Sequence, residues 1–229
     1  AKIIIIENVP SVNASKQEVV ERTKLLLEHN GYTILNKKNT LMAANLLVAQ
    51  TRGRHFLIAI KSKRKKLFYN LDKTKFPLMP VLSVIKDLEE KLSQSNPMFN
   101  PASLSKENLK RVDFLHEEDI YDLPDEMRPY CHKEKAHTYQ AVYGRMRPDL
   151  PAPTLTTGFQ SPGRGRYVHP TKRRTLTAQE AARVQSFPDY YKFTGLGLNT
   201  PKNSIVQFLG DAVPPNLGMF VCLAALSAL

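Results

Sequence analysis

The chain is poor in cysteine, in acidic residues and in long apolar runs, and each shortage closes off a class of protein. Only two cysteines, Cys131 and Cys222, occur in 229 residues. They form no cluster with ligand spacing, so neither a disulfide framework nor a zinc site is expected, and no residue is assigned to a metal. No run of about eighteen apolar residues is present. Ile3 to Ile6 is too short for a membrane span or for the apolar part of a signal peptide. A soluble intracellular protein without a membrane partner is therefore expected. Acidic residues number 21 against 33 Lys and Arg, leaving a net charge of +12. Such an excess suits a polyanion, most simply nucleic acid, without choosing between DNA and RNA. No internal repeat stands out.

What is present is a 42% hydrophobic content, enough for a core in one large or two modest domains. The opening KIIIIENVPSV reads as a buried parallel strand ending in polar Glu7 and Asn8. Ligands of open α/β sheets bind beyond such strand ends. Ser15 and Glu18 have capping-box spacing ahead of a helix with Val19, Val20, Leu26 and Leu27, closed by Gly31. YTIL and HFLIAI (His55–Ile60) supply two more strands, a strand, helix, strand alternation fitting half of an α/β domain. From about Lys61 to His169 prolines multiply and the periodicity breaks up. Pro80 introduces a helix with Val81, Ile85, Leu88 and Leu92, and Ser105 caps another through Leu115. An apolar helix from about Asn216 to Leu229 ends the chain.

Basic side chains gather in KSKRKK (Lys61–Lys66), GRMR (Gly144–Arg147), GRGR (Gly163–Arg166) and TKRR (Thr171–Arg174). The first is either a solvated loop or a phosphate contact. PAPTLTTGFQSPGRGR is turn-forming, hydroxyl-rich and basic, suiting a loop that meets a phosphate backbone or base edges. In RRTLTAQEAARVQSFPD, Thr177 and Glu180 fit a capping box, so a helix begins at Ala178 and stops before Pro188. Ala178, Ala181, Ala182 and Gln185 give it a face of small side chains. Arg183 on its flank is either a bidentate clamp for a carboxylate or phosphate or a solvated arginine.

ENV (Glu7–Val9), QTRGR (Gln50–Arg54), YGRMRPDLPAPTLTTGF (Tyr143–Phe159), TLTAQEAARVQSFPD (Thr175–Asp189) and QFLGDAVPPNLG (Gln207–Gly218) together resemble, in order, five blocks of the DNA (cytosine-5)-methyltransferase family. The resemblance spans almost the whole chain. It implies an α/β fold: the C-terminal part of a Rossmann-like S-adenosylmethionine-dependent methyltransferase sheet plus a smaller irregular target-recognition domain. The expected boundaries are 1–66 for the partial catalytic domain, 67–168 for recognition, and 169–229 for a segment returning to the catalytic domain.

The implied reaction is attack of a cysteine thiolate on carbon 6 of a flipped cytosine in duplex DNA, then methylation of carbon 5 from S-adenosylmethionine. Negative charge built on the ring needs stabilising. The resemblance gives that task to Glu7, presenting a proton to ring nitrogen 3. It gives Arg54 the cytosine oxygen and the orienting of Glu7. Burial would raise the Glu7 pKa and Arg54 would oppose the rise, so its sign stays open. Arg52 is expected to be structural, on the opposite face of the incoming strand from Arg54. DNA recognition is assigned to Tyr143, Arg145, Arg147, Thr154, Thr156, Arg164 and Arg166, where arginines can read guanine and hydroxyls can hold phosphates. Thr177, Glu180 and Arg183 make the punctuated helix a strut between recognition and catalytic domains. Gly210, Asp211 and Ala212 resemble the turn over S-adenosylmethionine. Asp211 stands where many members have asparagine, and an ionised aspartate only accepts.

The resemblance also places a glycine-rich cofactor turn and a Pro-Cys nucleophile loop ahead of ENV, which here starts at residue 7. Cys131 follows Tyr130 and Cys222 follows Val221, and Cys222 is expected as an inert buried thiol. The chain thus reads as a C-terminal half, whether domain, truncated copy or one subunit of a split enzyme, inactive without its N-terminal half. Restriction-modification in a bacterial cytoplasm, at the nucleoid, is the expected setting. Two alternatives stay open: a non-catalytic DNA-binding module, and part of an RNA cytosine methyltransferase.

Overall fold

A computed structural model describes residues 1–35, 40–61, 71–133, 141–193 and 200–229. Of the basic run Lys61–Lys66, all but Lys61 falls outside the described residues. The N-terminal part contains β1 (Ile3–Asn8), α1 (Val19–His29), β2 (Thr33–Ile34), β3 (Thr40–Met42), β4 (Gln50–Thr51) and β5 (Gly53–Ile60). β5 lies at the centre of the sheet. β1 pairs with it antiparallel from Ile3 opposite Ile60 to Asn8 opposite His55. On its other side it carries β2 and β3, also antiparallel. β1 and β2 therefore run the same way with α1 between them, as the alternation implied.

The parallel, fully buried strand expected at the N-terminus is corrected in two respects. Its neighbour β5 is antiparallel, because β5 enters from the far end and inserts between β1 and β2. β1 is also only partly buried: among the described residues its second edge has no partner, and Ile6 and Val9 are exposed. The period-2 pattern of β5 makes the layers. Phe56 and Ile58 join Ile3 and Ile5 in a core with the last helix, while Leu57 and Ala59 join Ile4 and Leu27 of α1 on the opposite face.

α1 carries the expected Val19, Val20, Leu26 and Leu27 but starts at Val19, three residues after the start that a Ser15 cap would set. Glu18 sits in the left-handed region at φ 52°, no side chain caps the helix, and Ser15 Oγ accepts instead from the Gln17 amide. Gly31, at φ 77°, closes it as expected.

The middle segment holds α2 (Val81–Ile85), α3 (Lys106–Glu117), α4 (Tyr130–Lys133) and β6 (Ala152–Pro153). α2 ends well before exposed Leu92, shorter than its apolar spacing suggests. Ser105 caps α3 through a bond from the Asn108 amide. α5 (Ala178–Val184), α6 (Lys202–Asp211) and α7 (Pro215–Ser227) complete the chain. One core joins Val81 and Ile85 of α2, Met146, Leu155 and Phe159, the alanines of α5, and Ile205 and Leu209 of α6. That core runs across residue 168, so α5 and α6 share an interior with the middle segment.

The stretch Lys202–Ser227 is long and apolar enough to cross a membrane by length and composition, with a mean hydropathy of 1.4. It is divided at Ala212–Pro214, and Ile205, Leu209, Leu217, Val221 and Ala225 are buried in two different cores. Cys222, next to Val221 on α7, points away from that core and is exposed, contrary to the buried thiol expected.

Candidate active site and recognition surface

Glu7 lies at the end of β1 opposite Phe56, and Arg54 is two residues from Phe56 on the partner strand. Paired residues and those two apart share a sheet face, so Glu7 and Arg54 form a diagonal cross-strand pair. Arg54 Nε donates to Glu7 Oε1 at 2.9 Å, and Arg54 Nη1 donates to the Gly53 carbonyl at 2.8 Å. The carboxylate is about one-third exposed and the guanidinium mostly buried. A carboxyl group is thus held at a strand end by a fixed cation, open on its other side.

Arg52 separates from Arg54 for a reason other than strand alternation. Two residues apart on one continuous strand would share a face. Here the chain breaks between β4 and β5, and the Arg52 amide turns back to the Gln50 carbonyl. Arg52 is 1% exposed. Its Nη1 donates to the Leu155 carbonyl and its Nη2 to the Gly210 carbonyl, each at 2.8 Å. Burial, with the nearby charge of Arg54, lowers its guanidinium to about 10. Gln50, likewise fully buried, accepts the Leu155 amide at 3.0 Å. β4 pairs in parallel with β6, so the QTRGR block ties the middle segment to the N-terminal part of the chain. Nothing in the sequence distinguished Gln50 from its neighbours except its place in that block.

Gly210 itself is a packing position. A Cβ there would lie 2.3 Å from the Thr157 amide nitrogen and 2.6 Å from the Thr156 carbonyl carbon. The end of α6 is thus pressed directly on the 156–157 backbone, so the side of Gly210 where a Cβ would point is filled by protein. The Ala212 amide is used by the Phe208 carbonyl. Asp211 is exposed and has no hydrogen bond or ion pair among the described residues. Of the expected cofactor turn, Asp211 is the group free to accept from a ligand.

The seven expected recognition residues divide sharply. Tyr143 is buried at φ 61°, with Arg111 over its ring. Arg145 is buried, bonded to the Pro170 and Leu115 carbonyls and to Asp119. Arg166 is bonded to the Tyr121 and Arg145 carbonyls and to Asp122. The two arginines are internal fasteners, because the segment has few regular elements and uses long donors to satisfy its loop carbonyls, while Tyr143 is packed inside. Thr154 Oγ1 donates to the Thr51 carbonyl at 2.7 Å, and Thr156 shares a bond with the Tyr167 hydroxyl. Arg147 is exposed over the Tyr121 ring. Arg164 is exposed, with no partner among the described residues.

α5 carries the expected capping box with both halves formed. Glu180, fully buried, also accepts a bidentate pair from Arg174, at 2.7 Å for each bond. His169 Nδ1 accepts the Thr171 and Lys172 amides, so its proton sits on Nε2, 3.3 Å from Glu180 Oε1. Burial pushes the Glu180 carboxyl up, but the bonds from Arg174 and His169 more than offset this and hold it at about 2. Arg183 clamps Asp189 bidentately and reaches Asp87 and the Val84 carbonyl. The bidentate reading of Arg183 holds, with an internal carboxylate as its partner. The partners Arg174 and His169 were missed: Arg174 lies in the TKRR cluster, which reads as an electropositive surface without the fold, and His169 carried no signal. Among the described residues no group of three His, Cys, Asp or Glu could hold a metal ion.

The family described as C-5 cytosine-specific DNA methylase matches residues 1–225, and the chain belongs to it. Type II methyltransferase M1.BsuMI of Bacillus subtilis (strain 168) is 37% identical over 226 residues, 96% of this chain and 50% of that protein. Type II methylase M.HgiDII of Herpetosiphon aurantiacus is 32% identical over 228 residues, 96% of this chain and 63% of its own. The chain thus spans about half to two-thirds of the length of these relatives. The S. pombe Dnmt2 methyltransferase structure shares the fold: TM-score 0.62 at 15% identity, covering 98% of this chain and 66% of that one.

Proposed function

We propose that this chain is the portion of a DNA cytosine-5 methyltransferase that supplies the ring-activating acid, the target-recognition segment and one edge of the cofactor site. The observation that carries the reading is the Glu7–Arg54 pair at the end of β1, on a scaffold that matches the family from residue 1 to 225. S-adenosylmethionine supplies the methyl group. Asp211 borders it, while Gly210 acts by packing and Ala212 by ending α6. Glu7 holds a proton toward nitrogen 3 of a flipped cytosine. Arg54 fixes Glu7 through Nε and turns its remaining nitrogen toward the base oxygen, so that charge developing on the ring meets fixed donors. Thr154 and Thr156 shape the loop beside the base. Arg147 and Arg164 meet the duplex.

The attacking thiolate comes, in this reading, from the part of the enzyme corresponding to the other half of its relatives, and the 229-residue chain alone does not methylate DNA. The edge of β1 that has no partner among the described residues and the apolar outer side of α6 and α7, where Phe208, Met219, Leu223 and Leu226 are exposed, seat that half. The type II relatives support a role in restriction-modification, acting on DNA in a bacterial cytoplasm.

Competition between duplex DNA and a structured tRNA-like RNA for the purified chain tests the substrate class. Tighter binding of duplex DNA is expected; equal or tighter binding of the RNA would overturn the DNA assignment.

A further inference from the structure

Between the loop at 157–161 and the start of α6 lies an open cavity of about 380 Å³. Ser103, Thr157, Gln160, Ser161, Lys202 and Asn203 present polar groups to it, and no acidic side chain is among its lining residues. Lys202 Nζ donates to the Pro101 carbonyl at 2.7 Å. An ammonium group has three donors, so two remain. Unlike Arg145, Arg166, Lys172, Arg173 and Arg174, which pair with carboxylates, Lys202 has no ion pair among the described residues. Burial lowers its pKa, the mark of a cation partly stripped of water and lacking a counter-charge. The hydroxyls of Ser103, Thr157 and Ser161 and the amide of Asn203 likewise have no side-chain hydrogen bond among the described residues.

A second cation stands at the rim. A Cβ on Gly158 would come 3.0 Å from Arg164 Cγ, so the absence of a side chain lets the Arg164 stem lie across the loop beside the cavity. One ammonium group and several neutral donors, open to solvent, match a singly charged group with two free oxygens and chain continuing on either side. We propose that this cavity seats a phosphodiester of the DNA strand, with Lys202 as its cation and the Ser103, Thr157 and Ser161 hydroxyls as its neutral donors. The proposal rests on the DNA reading given above. Its position also gives the contact a consequence. The Thr156–Thr157 backbone beside this cavity is the one pressed on Gly210, at the far end of α6. A phosphate held here braces the segment that ends in the cofactor turn.

The test is anisotropy titration of labelled mixed-sequence duplex DNA between about 50 and about 200 mM salt, with the wild-type chain, Lys202→Gln, Asn203→Asp and Lys24→Gln. Loss of one phosphate contact lowers the slope of log K against log salt by about 0.9. Lys202→Gln is expected to show that drop and to bind about fivefold to tenfold more weakly at the lower salt, equally across sequences. Asn203→Asp, which leaves the Lys202 bond intact, is expected to weaken binding similarly. Lys24→Gln, on α1, is expected to keep the wild-type slope. Equal behaviour of Lys202→Gln and Lys24→Gln, or unchanged binding by Asn203→Asp, would overturn the cavity assignment while leaving the DNA reading intact. Failure of the wild-type chain to bind duplex DNA would overturn both.

Discussion

The guanidinium of Arg52 holds the carbonyl of Gly210 at 2.8 Å across 158 residues of sequence, and with its other arm holds Leu155. Three blocks distant in sequence, the QTRGR strand, the Thr-Leu loop and the turn after α6, are thus fastened at one buried side chain. Removing it would leave two buried carbonyls without donors, each costing about 1–3 kcal/mol. Arg52→Met is therefore expected to lower stability by about 2–5 kcal/mol in urea unfolding. Arg52→Lys, with one point charge for two acceptors, is expected to recover only part of this.

Gly210→Ala places a methyl group into the 156–157 backbone rather than into open space. Overpacking of this kind costs about 1–3 kcal/mol. Because the loop that moves is the one proposed to lie beside the DNA, the variant is expected to lose duplex binding as well as stability, measured in the absence of any cofactor. Unchanged DNA affinity would show that Gly210 acts on the cofactor side alone.

The arginines of the proposed recognition segment are expected to separate into two groups by assay. Arg145→Gln and Arg166→Gln break internal bonds and should lower the unfolding midpoint. Arg164→Gln and Arg147→Gln should leave that midpoint within about 0.5 kcal/mol of wild type and reduce DNA affinity and its salt dependence. A stable Arg145→Gln variant with weakened DNA binding would reverse this assignment.

Stability should fall in two stages on acidification. Burial, with the charges of Arg145 and Arg173, lowers the His116 pKa from 6.5 to about 4. The unfolded chain then takes up a proton that the folded chain refuses, so stability is lost as pH falls from about 6.5 to about 4. Glu180, held at about 2 against 4.5 when free, contributes stability above about 4.5 that is lost as pH falls toward 2. Urea midpoints against pH should lose the first stage in His116→Gln and the second in Glu180→Gln. The latter should also start about 3–5 kcal/mol lower, since it leaves Arg174 buried without its partner.

The local signals legible in the sequence were those set by neighbours along the chain. The Thr177 capping box, the Ser105 cap and the Gly31 stop need only a few residues each, and all three are present. The Ser15–Glu18 box had the same spacing and failed, because Glu18 takes a left-handed conformation that removes the cap geometry. What could not be read was which charges the fold consumes. Arg145, Arg166 and Arg174 looked like surface cations until the loops around them supplied carbonyls and carboxylates from up to 85 residues away. The Glu7–Arg54 pairing was legible only through the family blocks, since strand register, not local sequence, brings the two together.

The most direct test is transfer of tritiated methyl groups to duplex DNA by this chain, alone and recombined with a polypeptide corresponding to the other half of its type II relatives. Activity is expected only on recombination, and Glu7→Gln is expected to reduce it by at least about 100-fold while leaving DNA binding intact. Full activity of the recombined Glu7→Gln enzyme, or methyl transfer by the 229-residue chain alone, would contradict the account.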